Sequence, residues 1–286
     1  MSHGLAFLPQ LAVIEVAGDD RVAFVHGQLT NHIQNLGDAF RLAGYCTPQG
    51  RLQATMRVYA QDDKLFMVMA RDLVEGFMKR FGMFILRSKV TLRLADELQV
   101  AGIVAPKSVT LPEVDRVILG DVVVARVADV DGLARCYVIG TQAALNALGE
   151  ETIDEAQWWA GEIKAGLPWV VLATKEAFVP QWINMDLTGG LVFNKGCYPG
   201  QEIISRVQHI GSTPRRSVLL KADAALTVAA GDDVMIDGVA NGQVVMAATV
   251  ENETWVLAQV PLKALQEAVF TVKDVPFAVQ TLPYAI

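Results

Sequence analysis

Lys195-Gly196-Cys197-Tyr198-Pro199-Gly200-Gln201-Glu202 is the stretch on which the reading of this chain turns. It sets a thiol between two glycines, with a flexible cation just before it and a helical pattern just after. Gly200 can N-cap a helix from Gln201 to about Gln208, and Gly211 lies just past its end. A helix N-terminus has unpaired N–H groups and a dipole that favours an anion. Together with the Lys195 ammonium this favours a thiolate at Cys197, reachable by a ligand, a metal or an electrophile. Glu202 and Arg206 stand four apart, the spacing at which they pair on a helix, and His209 is a further candidate to reach the thiol. A short apolar strand, Leu191-Val192-Phe193, and a turn, Asn194-Lys195-Gly196, lead into the octet. Cys46 and Cys136 sit within strand patterns and read as core.

The surrounding chain excludes several function classes. Its 286 residues suffice for two or three domains, and 52% hydrophobic against 19% charged residues describe a folded protein. No apolar run reaches the roughly 20 residues of a membrane span. The start, Met1 to Pro9, has no positively charged leader pattern, so a cytoplasmic protein with no membrane association is expected. A net charge of −7 argues against a broad electrostatic grip on nucleic acid, although Arg206, Arg215 and Arg216 form a local basic segment. Three widely spaced cysteines with no CxxC pair predict no self-contained metal site and suit a reducing compartment. Nothing resembles a zipper, so a monomer is expected.

Along the chain, Leu11–Val16 reads as a strand, and Asp19 or Asp20 can cap a helix to about Val25. Gly27-Gln28-Leu29-Thr30-Asn31 leaves that helix as an exposed polar turn. Runs at 41–46, 52–59 and 65–69, separated by Pro48-Gln49-Gly50 and Gln61-Asp62-Asp63, predict an antiparallel meander. Helical spacing covers 72–84, and a strand follows at 90–94. Residues 98–140 read as further strands with turns at Pro106, Pro112, Gly120 and Asp131-Gly132, followed by helices at 141–148 and 153–165. Beyond about Ser217, short Val-rich runs and turn pairs predict a small all-β domain, its boundary at Gly211 to Arg216.

The octet resembles the K-G-C-Y-x-G-Q-E signature of the YgfZ-type folate-binding proteins, relatives of the glycine-cleavage T-protein. Gly18-Asp19-Asp20 with Phe24-Val25-His26-Gly27-Gln28-Leu29-Thr30-Asn31 resembles that family's N-terminal stretch. Thr47-Pro48-Gln49-Gly50-Arg51 resembles its T-x-x-G-R turn, and Gly166-Leu167-Pro168, Thr174 and Phe178-Val179-Pro180-Gln181 with Asn184 resemble the lead-in to the signature. The resemblance implies an α+β fold: a three-domain T-protein-like ring with antiparallel sheets and a small C-terminal β-barrel. The expected division is residues 1–45 with 150–213 as the motif-bearing domain, 46–149 as a ferredoxin-like domain, and 214–286 as the barrel. It further implies tetrahydrofolate or a derivative as ligand, with Cys197 and Lys195 carrying the chemistry. Thr30, Asn31, Arg51, Tyr198, Gly200, Gln201, Glu202 and Arg206 are the residues expected at the folate, Arg51 and Arg206 through its carboxylates.

One departure bears on mechanism. T-proteins carry paired aspartates after a Gly-Gly turn, and the corresponding positions here are Ala54 and Thr55. Neither acts as a general acid or base at neutral pH, which argues against aminomethyl transfer. The reading from resemblance is a factor for assembly or repair of iron–sulfur clusters that indirectly supports tRNA-modifying enzymes, with iron–sulfur proteins or carriers as partners. Two alternatives stand beside it: a folate-dependent one-carbon transferase using Cys197, and a non-catalytic scaffold that shares one cluster ligand with a partner.

Overall fold

The computed structural model describes residues 4–107, 115–149, 152–209, 213–266 and 268–286. The turn expected at Pro112 and the start of the boundary expected at Gly211 lie outside the described residues, as does the His209 side chain.

The chain opens with β1 (Gly4–Phe7) and β2 (Leu11–Ala17), then α1 (Arg21–His26). Asp20 stands at the N-cap of α1, but its carboxylate accepts from the Lys89 N–H instead of capping the helix. The meander follows as β3 (Arg41–Cys46), β4 (Leu52–Gln61) and β5 (Lys64–Ala70), after which a 3-10 turn leads into α2 (Val74–Gly82) and β6 (Thr91–Leu94). These strands form one antiparallel sheet in the order β3-β4-β5-β2-β6. Phe77 and Phe81 of α2 pack edge-on to Tyr45, and Phe81 also meets Phe24 of α1, so both helices cover one face of this sheet.

A second antiparallel sheet, ordered β1-β7-β10-β9-β8, takes β7 (Leu98–Pro106), β8 (Arg116–Leu119), β9 (Val122–Val130) and β10 (Leu133–Thr141). Two helices follow, α3 (Gln142–Asn146) and α4 (Glu155–Lys164). Side chains of Thr141 and Asp154 cap their N-termini, accepting from the N–H groups of Ala144 and Ala156. Trp158 of α4 lies so close to β7 that a Cβ on Gly102 would sit 2.2 Å from its ring. Gly102 is therefore a requirement of this helix–sheet approach.

A long irregular segment then carries α5 (Gln201–His209) to the C-terminal barrel. Its strands are β11 (Arg215–Ala222), β12 (Asp233–Ile236), β13 (Val239–Val250), β14 (Glu253–Pro261), β15 (Phe270–Val272) and β16 (Val275–Gln280). They close in the order β11-β14-β13-β12-β15-β16. Inward side chains such as Val218, Val234, Val256 and Phe270 form the barrel's own core, while Leu219, Val245, Met246 and Leu257 join the main core of the two sheets.

The fold is thus α+β with antiparallel sheets and a six-stranded barrel, as expected. Its sheets cut the chain elsewhere than expected, because β3 and β4 are hydrogen-bonded neighbours on either side of the anticipated 45/46 division. β1 was not foreseen. It pairs with β7 about a hundred residues on, a partner that no local pattern announces.

Candidate functional site

The octet is seated by contacts to three distant segments. Gly200 has φ +82°, and a Cβ there would lie 2.5 Å from the Thr47 carbonyl oxygen and 2.7 Å from the Gly50 Cα. Only glycine lets the octet turn meet the Thr47–Gly50 turn this closely. The Gly200 carbonyl accepts from the Ile204 N–H, so Gly200 begins α5 where the sequence placed that start. Gln181 Nε2 donates to the Ile204 carbonyl from the other side.

Leu191-Val192-Phe193 is not a strand. It is a loop strapped to the N-terminal segment, with the Val192 N–H donating to the Thr30 carbonyl. Thr30 Oγ1 donates to the Gly190 carbonyl at 2.6 Å and accepts from the Gly44 N–H at 2.7 Å. Asn31 Nδ2 donates to the carbonyls of Leu42 and Gly189, and its Oδ1 accepts from the His32 N–H. Both residues are buried with these polar atoms partnered, and in this structure they tie the octet's lead-in loop to β3 and the N-terminal segment.

Lys195 is placed similarly. Its Nζ donates to the carbonyls of His26 and Leu29, both at 2.5 Å, and lies 4.9 Å from the Tyr198 ring centroid. The two carbonyls belong to the C-terminal end of α1 and the turn after it, where a cation is favoured. Burial pulls the Lys195 ammonium down to about 8. In this geometry the ammonium holds the octet against the end of α1. His26 and His32 stack beside it at 5.7 Å, and burial foremost, then Lys195 and His32, hold His26 below its ordinary value.

Cys197 is exposed, while Cys46 and Cys136 are buried. Burial pushes both buried thiols up, Cys136 to about 11. Tyr198 is buried, and burial first, then Cys46, raises its phenol. Cys197 is exposed, and beyond its chain neighbours Gly196 has no atom of the described residues within 4 Å of where its Cβ would be. Glu202 and Arg206 form only a surface pair at 3.5 Å. Arg51 donates to the Ala177 carbonyl at 2.8 Å and stacks on Trp182. Gln201 Nε2 reaches back to the Lys195 carbonyl at 3.4 Å.

A separate cavity of about 510 Å³ opens where the first sheet, α4 and the barrel converge. Its walls include Leu11 and Ala70 of the sheet, Trp159 of α4, Trp169, and Val245 and Met246 of the barrel. The rings of Trp159 and Trp169 are perpendicular at 6.1 Å. Trp169 is fixed from behind by Glu162, whose carboxylate accepts from Trp169 Nε1 at 2.9 Å, Tyr137 Oη at 2.8 Å and Arg135 Nη2 at 2.6 Å. Burial raises the Glu162 carboxyl, but Arg135, Arg57 and the two neutral donors outweigh it and hold the group below its usual value. Trp159 Nε1 is a buried donor without an acceptor among the described residues. The octet does not line this cavity. The octet meets the β3–β4 turn at Thr47 and Gly50, whereas the cavity meets the sheet at β5 and β2. Ala54 and Thr55, at the positions of the T-protein acids, are buried, and Thr55 Oγ1 accepts from the Val170 N–H between two cavity residues. Sequence reasoning missed Trp159 and Trp169. The available signal was that three of the chain's five tryptophans fall at 158, 159 and 169.

This architecture is that of the glycine-cleavage T-protein. The crystal structure of glycine cleavage system aminomethyltransferase T from Bartonella henselae superposes with a TM-score of 0.70 at 14% identity, covering 99% of this chain and 86% of that one. No family model matches the sequence. The curated relatives sharpen the class: the chain is 29% identical over 304 residues to the tRNA-modifying protein YgfZ of Enterobacter sp. strain 638, covering 99% of this chain and 93% of that protein. It is 28% identical over 311 residues to the protein of that name from Klebsiella pneumoniae strain 342, with the same coverage. Over nearly its whole length the chain is thus similar to proteins of the YgfZ family.

Proposed function

We propose that this protein is a tetrahydrofolate-binding factor for assembly or repair of iron–sulfur clusters, through which it supports tRNA-modifying enzymes, and that Cys197 is its working thiol. The observation that carries the proposal is the separation of two features. An open, largely apolar cavity lies at the junction of the first sheet, α4 and the barrel, and an exposed thiol lies outside it.

The cavity suits a folate. Its volume of about 510 Å³ falls within the range of small-molecule sites, and its two perpendicular indoles offer faces to a flat heterocycle. The unpartnered N–H of Trp159 provides a donor for a ring nitrogen or carbonyl. Trp159, Trp169 and Met246 would hold the ring system, with Glu162 keeping Trp169 in place. When bound, a folate supplies a one-carbon carrier.

A one-carbon transferase using Cys197 is disfavoured because the thiol lies outside the cavity wall and the acidic pair of the T-protein is replaced by Ala54 and Thr55. One exposed thiol supplies a single ligand where a cluster ordinarily takes four, so action on a partner's cluster or thiol suits its setting. The test is a strain whose sole copy carries Cys197→Ala. Tetrahydrofolate affinity of the purified variant should match wild type within about twofold, while cluster-enzyme activity in the cells falls. Full cluster-enzyme activity in that strain overturns the proposal.

A further inference from the structure

Away from both the cavity and the thiol, Trp182 gathers two arginines. It stands half-buried on the 3-10 turn Pro180–Ile183. The guanidinium carbon of Arg51 lies 4.8 Å from its ring centroid and that of Arg215 lies 5.9 Å away. Arg51 comes from the β3–β4 turn and Arg215 opens β11, so tertiary structure alone brings the three together.

These guanidinia are under-used. Arg51 gives one N–H to the Ala177 carbonyl, and Arg215 gives two to Asn241. A guanidinium has five N–H donors, which leaves most of those on each residue without an acceptor among the described residues. Among the described residues neither meets a carboxylate within 4.0 Å, whereas neighbouring Arg216 is held by both oxygens of Asp186 at 2.6 and 2.9 Å. Burial lowers Arg215 from its ordinary value, and no carboxylate offsets it. Two like charges gathered on one indole repel each other, and an anion bound beside them offsets that cost.

The cation–π contacts orient both guanidinium planes while leaving edge N–H groups for a ligand. A lone oxyanion would satisfy the charges only. A nucleotide offers both chemistries the cluster can use, phosphate oxygens for the guanidinia and a flat base to stack on the guanidinium or aromatic planes.

We propose that Arg51 and Arg215, braced on Trp182, form a binding site for a phosphate-bearing ligand: a nucleotide, either free or as a residue of a single-stranded RNA. This site is independent of the folate reading, since none of the three residues lines the cavity.

The test uses the full-length protein and two probes, ATP by calorimetry and a fluorescent oligouridylate by polarisation. Arg51→Gln/Arg215→Gln is compared with wild type, because glutamine keeps an amide donor for the Ala177 and Asn241 acceptors. At least one probe should bind, with affinity falling about tenfold or more in the double variant while the melting transition is retained. For the oligonucleotide, the slope of log affinity against log salt should shrink by about 1.4, the value for two lost single-strand phosphate contacts. Binding of ATP alone assigns a free nucleotide, binding of the strand alone assigns RNA, and binding of both assigns the nucleotide unit in either setting. Should the double variant not fold, Arg215→Gln alone carries the test, with a loss of about threefold or more expected. The proposal is overturned if neither probe binds, if the variants bind as wild type does, or if tetrahydrofolate displaces the probe and so claims the arginines for itself.

Discussion

Replacing Glu162 with alanine should be among the most damaging single changes in the molecule. The carboxylate is fully buried, paired with an equally buried Arg135 at 2.6 Å, and also takes the hydroxyl of Tyr137 and the indole N–H of Trp169. Removing it strands the Arg135 guanidinium, which is left stacked 4.5 Å from the Trp158 ring with a weak 3.3 Å bond to the Ala128 carbonyl. Breaking one half of a buried ion pair costs about 3–5 kcal/mol, and the hydrogen bonds lost with it are part of that figure. Against a whole-protein stability of about 5–15 kcal/mol, this is about a fifth of the total or more. Urea unfolding followed by near-ultraviolet circular dichroism measures it, and with a slope near 3 kcal/mol/M the midpoint should fall by about 1–1.7 M. The double change Glu162→Leu/Arg135→Met should recover most of the loss, because a hydrophobic pair of similar volume has no charge to strand. The folded Glu162 value is depressed, so its contribution is present above the unfolded value near 4.5 and is lost as pH falls through the lower folded value. The gap between wild type and Glu162→Gln should therefore close in strong acid. A loss below about 1 kcal/mol for Glu162→Ala at pH 7 would refute the reasoning.

Three further outcomes follow from the octet's seating. Gly200→Ala meets both a φ of +82° and a backbone oxygen at 2.5 Å, and should cost about 2–4 kcal/mol, whereas Gly196→Ala, with open space at its Cβ, should cost under about 0.5 kcal/mol; thermal melts compare them. Lys195 has a folded value of about 8, below its unfolded 10.5, so the penalty for burying its charge is full below pH 8 and gone above 10.5. Wild-type stability relative to Lys195→Met should accordingly rise across that window, and a flat difference would count against the buried ammonium. Titration with a thiol reagent should modify Cys197 alone in the native state and all three cysteines after denaturation, and rapid native labelling of Cys46 or Cys136 would contradict their burial.

Legibility in the sequence followed the range of the interactions concerned. The start of α5 at Gly200 was readable because a glycine before a helical pattern is a local signal. The meander β3-β4-β5 and the barrel were readable for the same reason, from turn residues between alternating runs. The apolar run Leu191–Phe193 has strand composition, yet its backbone is engaged by Thr30 and becomes a strap. Thr30 and Asn31 looked exposed because the carbonyls they bond, at Gly190 and Gly189, are 160 and 158 residues away in sequence. Lys195 looked like a charge for the thiol, but the helix end that receives it lies 169 residues earlier. The cavity was invisible for a related reason, since Leu11, Ala70, Trp169 and Met246 share no local pattern and meet only when sheet and barrel dock.

The central claim, that ligand cavity and working thiol are separate, is tested most directly by a crystal structure of the protein with tetrahydrofolate bound. The predicted result is ligand density between Trp159 and Trp169, with Cys197 Sγ open to solvent and out of contact with the one-carbon position. Ligand density running to Cys197, with its sulfur in van der Waals contact with that position, would contradict the account and restore one-carbon transfer by the thiol.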